Sequence, residues 1–420
     1  MSPGQSSNVL CIILSISSVL AVEMTVDKSG KCRHTETIFN CSGIGLFDIP
    51  AAEEIPIQIE TLDVSNNHIR NISLINRHTL GKSLSSLNLS NNHVSVIQEN
   101  TFNDFTHLVF LDLSNNLISG RSLNDMVFTD LRKLLHLILR GNPLRLVQKD
   151  TFSFMELPEL AHLDLSHCGI SELEIDSFDV RSLEYLDLSW NQLQTFKKGA
   201  FRMLPALKIL DLSHNRISVL NEIPYMPELV TWILDSNGME TIEIRDDVED
   251  YADNLQELYL RDNDILRFNE DSLPLKLDDL KVVDMSNNRL HCDCRMRWIV
   301  SRDNDFQKKN YTFTCSYPSK VSGRNLITLA PEELTCGTPL VKILFVVLLC
   351  VLVVIAFSGL VFFVIRNRRR RKRRKRAARG DDGGDYVIVY SRDDDDDDTR
   401  VTMSDNKQLL KTDINREFDV

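Results

Sequence analysis

The stretch LEYLDLSWNQL, residues 183–193, places leucines at its first, fourth, sixth and eleventh positions. Two neighbouring stretches, LAHLDLSHCGI at 160–170 and LKILDLSHNRI at 207–217, repeat this spacing and end in isoleucine. The middle of each stretch, x-L-x-L-x, alternates as a strand with one buried face does. Because one copy cannot bury its leucines alone, the pattern predicts coils that stack into a continuous core.

Ten copies of L-x-x-L-x-L-x-x-N-x-L lie between residues 55 and 290, and their ninth positions recur at intervals of 22 to 26 residues. We expect this ninth residue to turn inward, where it can bond backbone groups of neighbouring coils. It is Asn67, Asn92, Asn116, Asn142, Cys168, Asn191, Asn215, Asn237, Asn263 and Asn288. A second row is predicted to fill the core on the far side of the coils: Phe102, Phe152, Phe178 and Phe201.

Cys168 is the exception in the ninth-position series, and His167 precedes it. The pair could be a nucleophile beside its base, half of a disulfide or part of a metal site. A thiol is small, tolerates burial and is a weak donor, so a structural role in the series is favoured. The position of His167 is held by Asn66, Trp190 and His214 in other copies, which argues against a catalytic pair.

These copies resemble the leucine-rich repeat, and the chain resembles extracellular single-pass type I membrane proteins of that family, with an ectodomain of the Toll-like or neuronal adhesion type. The resemblance implies an α/β solenoid, a right-handed horseshoe of about ten repeats with a parallel sheet on its concave side. Disulfide caps would close both ends, and one transmembrane helix would follow. The family accepts Asn or Cys at the ninth position. The tail is too short and polar for a Toll/interleukin-1 receptor domain.

Two apolar segments set the expected topology. Residues 9–22 have the composition of a signal peptide, and residues 343–365 form an uncharged run of 23 residues. At about 1.5 Å per residue, the second run is long enough to cross a bilayer. Eleven Lys and Arg follow in residues 366–379, so we expect the N-terminal part to lie outside the plasma membrane.

The resulting domain plan has six parts: a signal peptide at 1–21, an N-terminal cap at 22–54, the solenoid at 55–290, a C-terminal cap at 291–337, a transmembrane helix at 343–365 and a disordered cytoplasmic tail at 366–420. Residues 1–365 hold 32 Lys and Arg against 47 Asp and Glu. This acidic balance favours a basic partner surface and does not suit nucleic acid.

Six cysteines flank the repeats, two before and four after, which suits an oxidising compartment. The segments CRHTETIFNC at 32–41 and HCDCRMRW at 291–298 resemble the flanking modules of extracellular leucine-rich proteins. That resemblance implies the pairs Cys292–Cys315 and Cys294–Cys336, leaving Cys32–Cys41. Zinc binding by the C-x-C pair is the alternative, which the even number of cysteines in a secreted region disfavours.

Four sequons could carry N-linked glycans: Asn40, Asn71, Asn88 and Asn310. Asn88 is predicted to point outward from the second strand of the repeats. A glycan there would obstruct that end of the concave face.

Departures from the repeat consensus suggest where a ligand binds. Six copies carry aspartate at the exposed central strand position, whereas Ile138, Ile233 and Tyr259 replace it in copies four, eight and nine. Exposed aliphatic, aromatic and arginine side chains carry much of the energy at protein interfaces. Drift at a tolerant position is the alternative explanation. The candidate contact residues are therefore His136, Ile138, Arg140, Ile233, Tyr259 and Arg261.

Short motifs in the tail could recruit cytoplasmic partners. YVIV, from Tyr386 to Val389, matches the sorting motif Y-x-x-Φ, and Tyr386 could be phosphorylated. Phe418 and Val420 give Φ-x-Φ at the last residues, which resembles a PDZ-domain ligand. The basic run at 366–379 would attract anionic inner-leaflet lipids.

The sequence shows no Ser/His/Asp array, phosphate loop or clustered metal ligands, so it predicts neither an enzyme nor a cofactor. The favoured function is a cell-surface receptor or adhesion protein that binds a protein ligand and couples to adaptors through its tail. One alternative is an auxiliary subunit that modulates a membrane channel or receptor, which would make the partner a membrane co-receptor. The other is an innate immune pattern-recognition receptor.

Overall fold

The computed structural model describes residues 25–26, 31–51, 53–72, 80–123, 127–128, 130–147, 157–197, 199–220, 225–242, 252–269, 279–302, 309–336 and 340–377. The chain divides into two compact units, Met1–Cys336 and Gly337–Val420. The signal peptide, Phe152 and the tail motifs at Tyr386, Val389, Phe418 and Val420 lie outside the described residues.

The strands of the first unit are two or three residues long and follow one another coil by coil. They are β1 (Thr25–Val26), β2 (Arg33–His34), β3 (Ile38–Asn40), β4 (Thr61–Asp63), β5 (Ser86–Asn88), β6 (Phe110–Asp112), β7 (His136–Ile138), β8 (Leu146–Val147), β9 (His162–Asp164), β10 (Glu172–Leu173), β11 (Tyr185–Asp187), β12 (Ile209–Asp211), β13 (Val219–Leu220), β14 (Thr231–Ile233), β15 (Thr241–Ile242), β16 (Glu257–Tyr259), β17 (Val282–Asp284), β18 (Leu290–His291), β19 (Asn310–Thr312) and β20 (Cys315–Tyr317).

Fourteen of these strands form one main sheet in the order β1-β2-β3-β4-β5-β6-β7-β9-β11-β12-β14-β16-β17-β19. From β3 onward every neighbouring pair is parallel. Each of the ten repeat copies supplies one strand of the main sheet, as predicted. These strands are β4, β5, β6, β7, β9, β11, β12, β14, β16 and β17. This parallel-sheet solenoid confirms the stacked coils that the leucine spacing predicts and the horseshoe that the resemblance implies.

The structure describes part of the other side of the coils. Turns and two parallel strand pairs, β8 with β10 and β13 with β15, occupy much of its described part. Helical segments in the described part of the first unit are short: Gly120–Ser122, Cys294–Met296 and Leu326–Thr328 are 3-10 turns, and α1 spans Arg297–Val300. The main sheet makes this part of the chain a parallel-sheet solenoid, as the fold-class prediction states.

The core is a column of leucines crossed by rows of larger side chains. The middle residue of each repeat strand is buried, and it is leucine except for Trp232 in β14 and Val283 in β17. Phe102 stacks on Phe128 with ring centroids 6.2 Å apart, and Phe178 stacks on Phe201 at 6.1 Å. Phe102, Phe178 and Phe201, the described members of the predicted phenylalanine row, are therefore in the core, as predicted.

The ninth-position asparagines are held by backbone groups of two adjacent coils. Asn116 is typical: its Nδ2 donates to the carbonyls of Leu89 and Leu113 at 3.0 Å, and its Oδ1 accepts from the amide of Val94 at 3.0 Å. One buried side chain therefore satisfies backbone donors and acceptors that have no partner within their own coil.

Cys168 fills the same position with only part of this bonding. Its Sγ lies 3.3 Å from the carbonyl of Leu139 and 3.4 Å from that of Ser166. A thiol has no carbonyl oxygen that could accept a hydrogen bond. In the other coils the asparagine Oδ1 accepts from a backbone amide, and the equivalent amide here is that of Leu144. The Leu144 amide donates instead to the carbonyl of Asn142 at 2.8 Å. Arg145 follows with a positive φ of 62°. The substitution of sulfur for an amide thus changes the path of the preceding coil.

Both ends of the repeats are closed by disulfide-containing caps. The structure joins Cys32 to Cys41, Cys292 to Cys315 and Cys294 to Cys336, the pairs that the resemblance implied. The caps also extend the main sheet, because β3 pairs with β4 and β19 pairs with β17. The sequence pattern did not reveal these cap strands, since neither carries the repeat motif.

The second unit contains helix α2, Leu340–Ala377. Its stretch Ile343–Arg371 is long and apolar enough to cross a membrane by length and composition. The helix continues past residue 365, where we expected a disordered tail to begin, and reaches Ala377. The end of the transmembrane segment at residue 365 stays a prediction. Arg and Lys have high helix propensity, and no Gly or Pro interrupts the chain between Gly359 and Gly380.

Replacing Cys168 by asparagine should stabilise the fold. The new Oδ1 would accept from the amide of Leu144 as in the other coils, and we expect the free energy of unfolding to rise by about 1 kcal/mol. Chemical denaturation of the detergent-solubilised chain, followed by tryptophan fluorescence, measures this. Cys168→Ala is the control and should lower the midpoint. Equal destabilisation by both variants would contradict the explanation.

Candidate functional site

The solvent-facing side of the main sheet carries two columns of side chains. In each repeat strand the middle residue is buried and the two flanking residues are half-buried. Because neighbouring strands pair without a register shift, the first residues of successive strands lie side by side, and so do the third residues. Strands in a sheet are about 4.8 Å apart, so side chains within a column are in contact range.

The first-position column contains a continuous row of rings, which we call the aromatic row: Phe110, His136, His162 and Tyr185. Their successive centroid distances are 6.2, 5.4 and 4.3 Å, and the last pair is stacked almost parallel, at 6°. Burial lowers the pKa of His162 to about 4, with the neighbouring His136 adding to the effect. Burial also raises the pKa of the Tyr185 phenol. The row is therefore uncharged at neutral pH.

The third-position column is acidic, and we call its central members the carboxylate column: Asp112, Asp164, Asp187 and Asp211. Each accepts from the amide of the serine two residues later at 2.8 Å, a bond that fixes the end of the strand. Burial, together with Asp164 and Asp211 on the adjacent strands, raises the pKa of Asp187 to about 6. These carboxylates repel one another, so a cation held against them would relieve that repulsion.

Comparison with known proteins agrees with this architecture. The family model described as "Leucine rich repeat" matches residues 82–144 and 158–217. The coils in these two ranges match the leucine-rich repeat.

Relatives align with the leucine-rich repeats over part of their length. Keratocan from Mus musculus is 32% identical over 34% of this chain and 45% of its own length. Toll-like receptor 3 from Homo sapiens is 29% identical over 40% of this chain and 19% of its own. Chaoptin from Drosophila melanogaster is 33% identical over 56% of this chain and 16% of its own. The chain thus spans less than half of each of these relatives.

A solved structure shares the leucine-rich repeat fold. A chain of the octameric complex of Latrophilin 3, Unc5D and FLRT2 superimposes with a TM-score of 0.54 at 21% identity. The match covers 73% of this chain and 99% of that chain. At this identity the likeness shows the fold alone.

The first group of predicted contact residues lies in these columns on β7. His136 is the second ring of the aromatic row, and Ile138 interrupts the carboxylate column between Asp112 and Asp164. Arg140 is exposed just beyond the end of the strand. The structure therefore brings an apolar side chain, an imidazole and a guanidinium together beside the acidic column.

The second predicted group forms an ion-pair cluster on the strands β14 and β16. Ile233 lies beside Tyr259, and the guanidinium of Arg261 lies 5.6 Å from the centroid of the Tyr259 ring. Arg261 Nη2 contacts Asp235 Oδ2 at 2.6 Å, and its backbone amide donates to Asp235 Oδ1 at 2.7 Å. Part of the role of Arg261 is thus to neutralise a buried carboxylate.

The two groups do not form one site. Ile138 and Ile233 occupy the same column four strands apart, roughly 19 Å at the usual strand spacing. The expectation that Ile138, Ile233 and Tyr259 are exposed needs correction, since all three are half-buried. Neighbouring strands pack against their flanks, which a reading of single copies does not show. Any contact with a partner would use the outer part of these side chains.

Sequence reasoning missed a ring stack at the edge of the sheet. Trp190 is 52% exposed and lies between His167 and His214, with centroid distances of 5.1 and 3.9 Å. All three residues have left-handed backbones, Trp190 with a φ of 55°. An exposed tryptophan in this conformation is unusual. The sequence signal for this stack is the position before the ninth residue, which is aromatic in three successive copies.

Cys168 is poorly suited to nucleophilic chemistry. Its thiol is buried, faces backbone carbonyls, and has a pKa raised to about 12 by burial. The zinc alternative for the C-x-C pair also finds no support: Cys294 and Cys336 lie near Asp293, but the two sulfurs are bonded to each other. Asp293 is engaged by Arg295, whose Nη2 lies 2.9 Å from its Oδ2.

Acid should destabilise the fold through His162. Its folded pKa lies below the ordinary value of 6.5, so its contribution to stability is full above pH 6.5 and is lost as the pH falls towards 4. His162→Phe keeps a ring beside Tyr185 and removes this loss. We expect the variant to gain about 2 kcal/mol on the wild type between pH 7 and pH 4.5. Denaturation midpoints across this range measure it, with His107→Phe as control. A difference that is constant with pH would contradict the assignment.

The Cys168 thiol should resist alkylation in the folded protein, because the thiolate is the reactive form and burial suppresses it. Iodoacetamide treatment under non-reducing conditions, followed by peptide mass spectrometry, should find Cys168 unmodified until denaturant is added. Labelling at the same rate with and without denaturant would show that the site opens.

Proposed function

We propose that this chain is a single-pass cell-surface protein that binds another protein through the solvent-facing side of its main sheet. The observation that carries the proposal is the aromatic row lying directly beside the carboxylate column. Aromatic side chains provide a large contact area at low entropic cost, and charge selects the partner and speeds encounter. Four adjacent rings on paired strands form a rigid surface of this kind.

The partner that fits this face is basic and carries apolar side chains. Lysine or arginine side chains would offset the repulsion within the carboxylate column, and apolar side chains would cover the aromatic row. Ile138 within the column, and Ile233 next to Asp211 at one end of it, would add apolar contacts. The edge stack at Trp190 lies beyond the same strands and would extend the contact area.

Helix α2 supports an anchored, cell-surface location. Its apolar stretch is followed by a run of Arg from Arg368, and such runs remain on the cytoplasmic side. The sheet would then lie outside the plasma membrane. Coupling through a PDZ ligand at Phe418 and Val420, the motif at Tyr386 and Val389, and anionic lipids at the basic run remain predictions.

Alanine substitutions in the aromatic row should weaken binding in trans. Cells displaying the full-length chain would be tested against a panel of cells that each display one candidate surface protein. We expect binding to one of them, weakened at least about tenfold by His162→Ala with Tyr185→Ala, since central aromatic residues dominate such interfaces. Lys133→Ala, an exposed substitution outside the sheet, is the control.

The same assay separates the alternatives. Unimpaired binding by the double variant would refute the proposed face. If no displayed protein binds in trans and a channel or receptor is instead recovered from the same membrane, the auxiliary-subunit role replaces adhesion. Capture of a microbial product by the displaying cells would favour pattern recognition.

A further inference from the structure

Three of the four sequon asparagines lie on the main sheet. Asn40 and Asn88 are the third residues of β3 and β5, in the same column as the carboxylates. Asn310 is the first residue of β19, at the opposite end. Asn71 is exposed in the segment after β4, outside the sheet. The sequons therefore mark both ends of one surface.

Asn88 has the local geometry of the carboxylate column with one atom changed. Its Oδ1 accepts from the Ser90 amide at 3.0 Å and from the Ser90 Oγ at 2.7 Å. Asp164 makes the same two bonds to Ser166, at 2.8 and 2.7 Å. In Asn88 the second oxygen is replaced by Nδ2, for which the described part of the chain offers no hydrogen-bond partner. The strand end is thus held by the oxygen, and the nitrogen remains available.

Asn310 is also accessible. It is exposed on β19, the last strand in the order of the main sheet, so no strand among the described residues lies beyond it. Its neighbour Tyr311 is buried, and the Tyr311 hydroxyl donates to the carbonyl of Leu280 at 2.7 Å. The backbone is fixed by this buried side chain, while the asparagine faces solvent. A bulky group on Asn310 would not disturb the core.

We propose that N-linked glycans on Asn88 and Asn310 bracket the solvent-facing side of the main sheet and confine a partner to the strands between them. In the transfer step, an oligosaccharide moves from a lipid pyrophosphate donor. The bond between the sugar anomeric carbon and the pyrophosphate breaks, a bond to the asparagine Nδ2 forms, and that nitrogen loses a proton. Both side chains offer this nitrogen without a change in the strand.

The space left between the glycans matches the candidate site. In the main sheet, eight strands lie between β5 and β19: β6, β7, β9, β11, β12, β14, β16 and β17. At the usual strand spacing of about 4.8 Å, the two glycosylated strands are about 43 Å apart. The aromatic row and the carboxylate column lie wholly on these eight strands. The inference rests on the proposed function only in requiring that the sheet pass through the secretory pathway, and its test needs no partner.

Site occupancy is measured first, on the full-length chain expressed in mammalian cells. Peptide-N-glycosidase F hydrolyses the glycan and converts the modified asparagine to aspartate, which mass spectrometry locates. We expect conversion at residues 88 and 310, and loss of one glycan step on a gel for each of N88Q and N310Q. Unmodified asparagine at either position would overturn the proposal.

Shielding is measured with a polyethylene glycol maleimide on a Cys350→Ala background. Ser86→Cys and Ile209→Cys each place a thiol at the half-buried first position of a strand. Residue 86 lies on β5, the strand of Asn88, and residue 209 lies on β12, five strands away. Deglycosylation should accelerate labelling of S86C severalfold and leave I209C unchanged. Equal rates for S86C before and after the enzyme would refute shielding even where the site is occupied.

The repeat itself supplies a matched gain-of-function control. Asp187→Asn creates the sequon Asn-Leu-Ser with the existing Ser189, at a strand end like that of Asn88. We expect this variant to gain a glycan and to slow labelling of I209C on the adjacent strand. Asp187→Asn combined with Ser189→Ala should restore the rate. Failure of the single variant to gain a glycan would contradict the claim that this strand-end geometry accepts one.

Discussion

In nine of the ten repeat copies, one inward-facing side-chain amide joins the coil to its neighbour. The ninth-position asparagine donates to carbonyls of its own coil and the preceding one, and accepts from an amide of the preceding coil, as Asn116 shows. Without it, polar backbone groups would be left unpaired beside a core of leucine. Cys168 supports this role of the amide, because the coil before it takes a different path where the amide oxygen is missing. Leucine burial favours stacking, and the amides set the register in which the coils stack.

That register produces the candidate site. Since every repeat strand pairs with the next without a shift, equivalent residues lie side by side, and the composition of a motif position becomes the composition of a surface. Rings at one position form a stacked row, and aspartates at another form a column of like charges. Their proximity accounts for part of the raised pKa of Asp187 and the lowered pKa of His162. The same arrangement places glycosylation sequons at both ends of the face.

Much of the fold could be predicted from the sequence, because leucine spacing and the ninth-position residue are local features that recur. The prediction was weaker where structure depends on contacts between coils. The aromatic row was missed because Phe110, His162 and Tyr185 look unremarkable in their own copies, and only the stacking makes them neighbours. Ile138 is half-buried because the strands on both sides of β7 pack against it, and the repeat motif of a single copy does not contain those contacts. The cap strands β3 and β19 lack the motif and had no local signal.

The position of β19 bears on whether the molecule remains monomeric. It is the last strand in the order of a fourteen-stranded sheet, and such a strand offers unpaired backbone groups to any chain that can align with it. β19 is only three residues long, and it begins at Asn310, where an oligosaccharide would hinder strand-to-strand association. Loss of the C-terminal cap would bare the parallel strand β17. Chains truncated there should polymerise end to end, so this cap protects the molecule against self-assembly as well as covering its core.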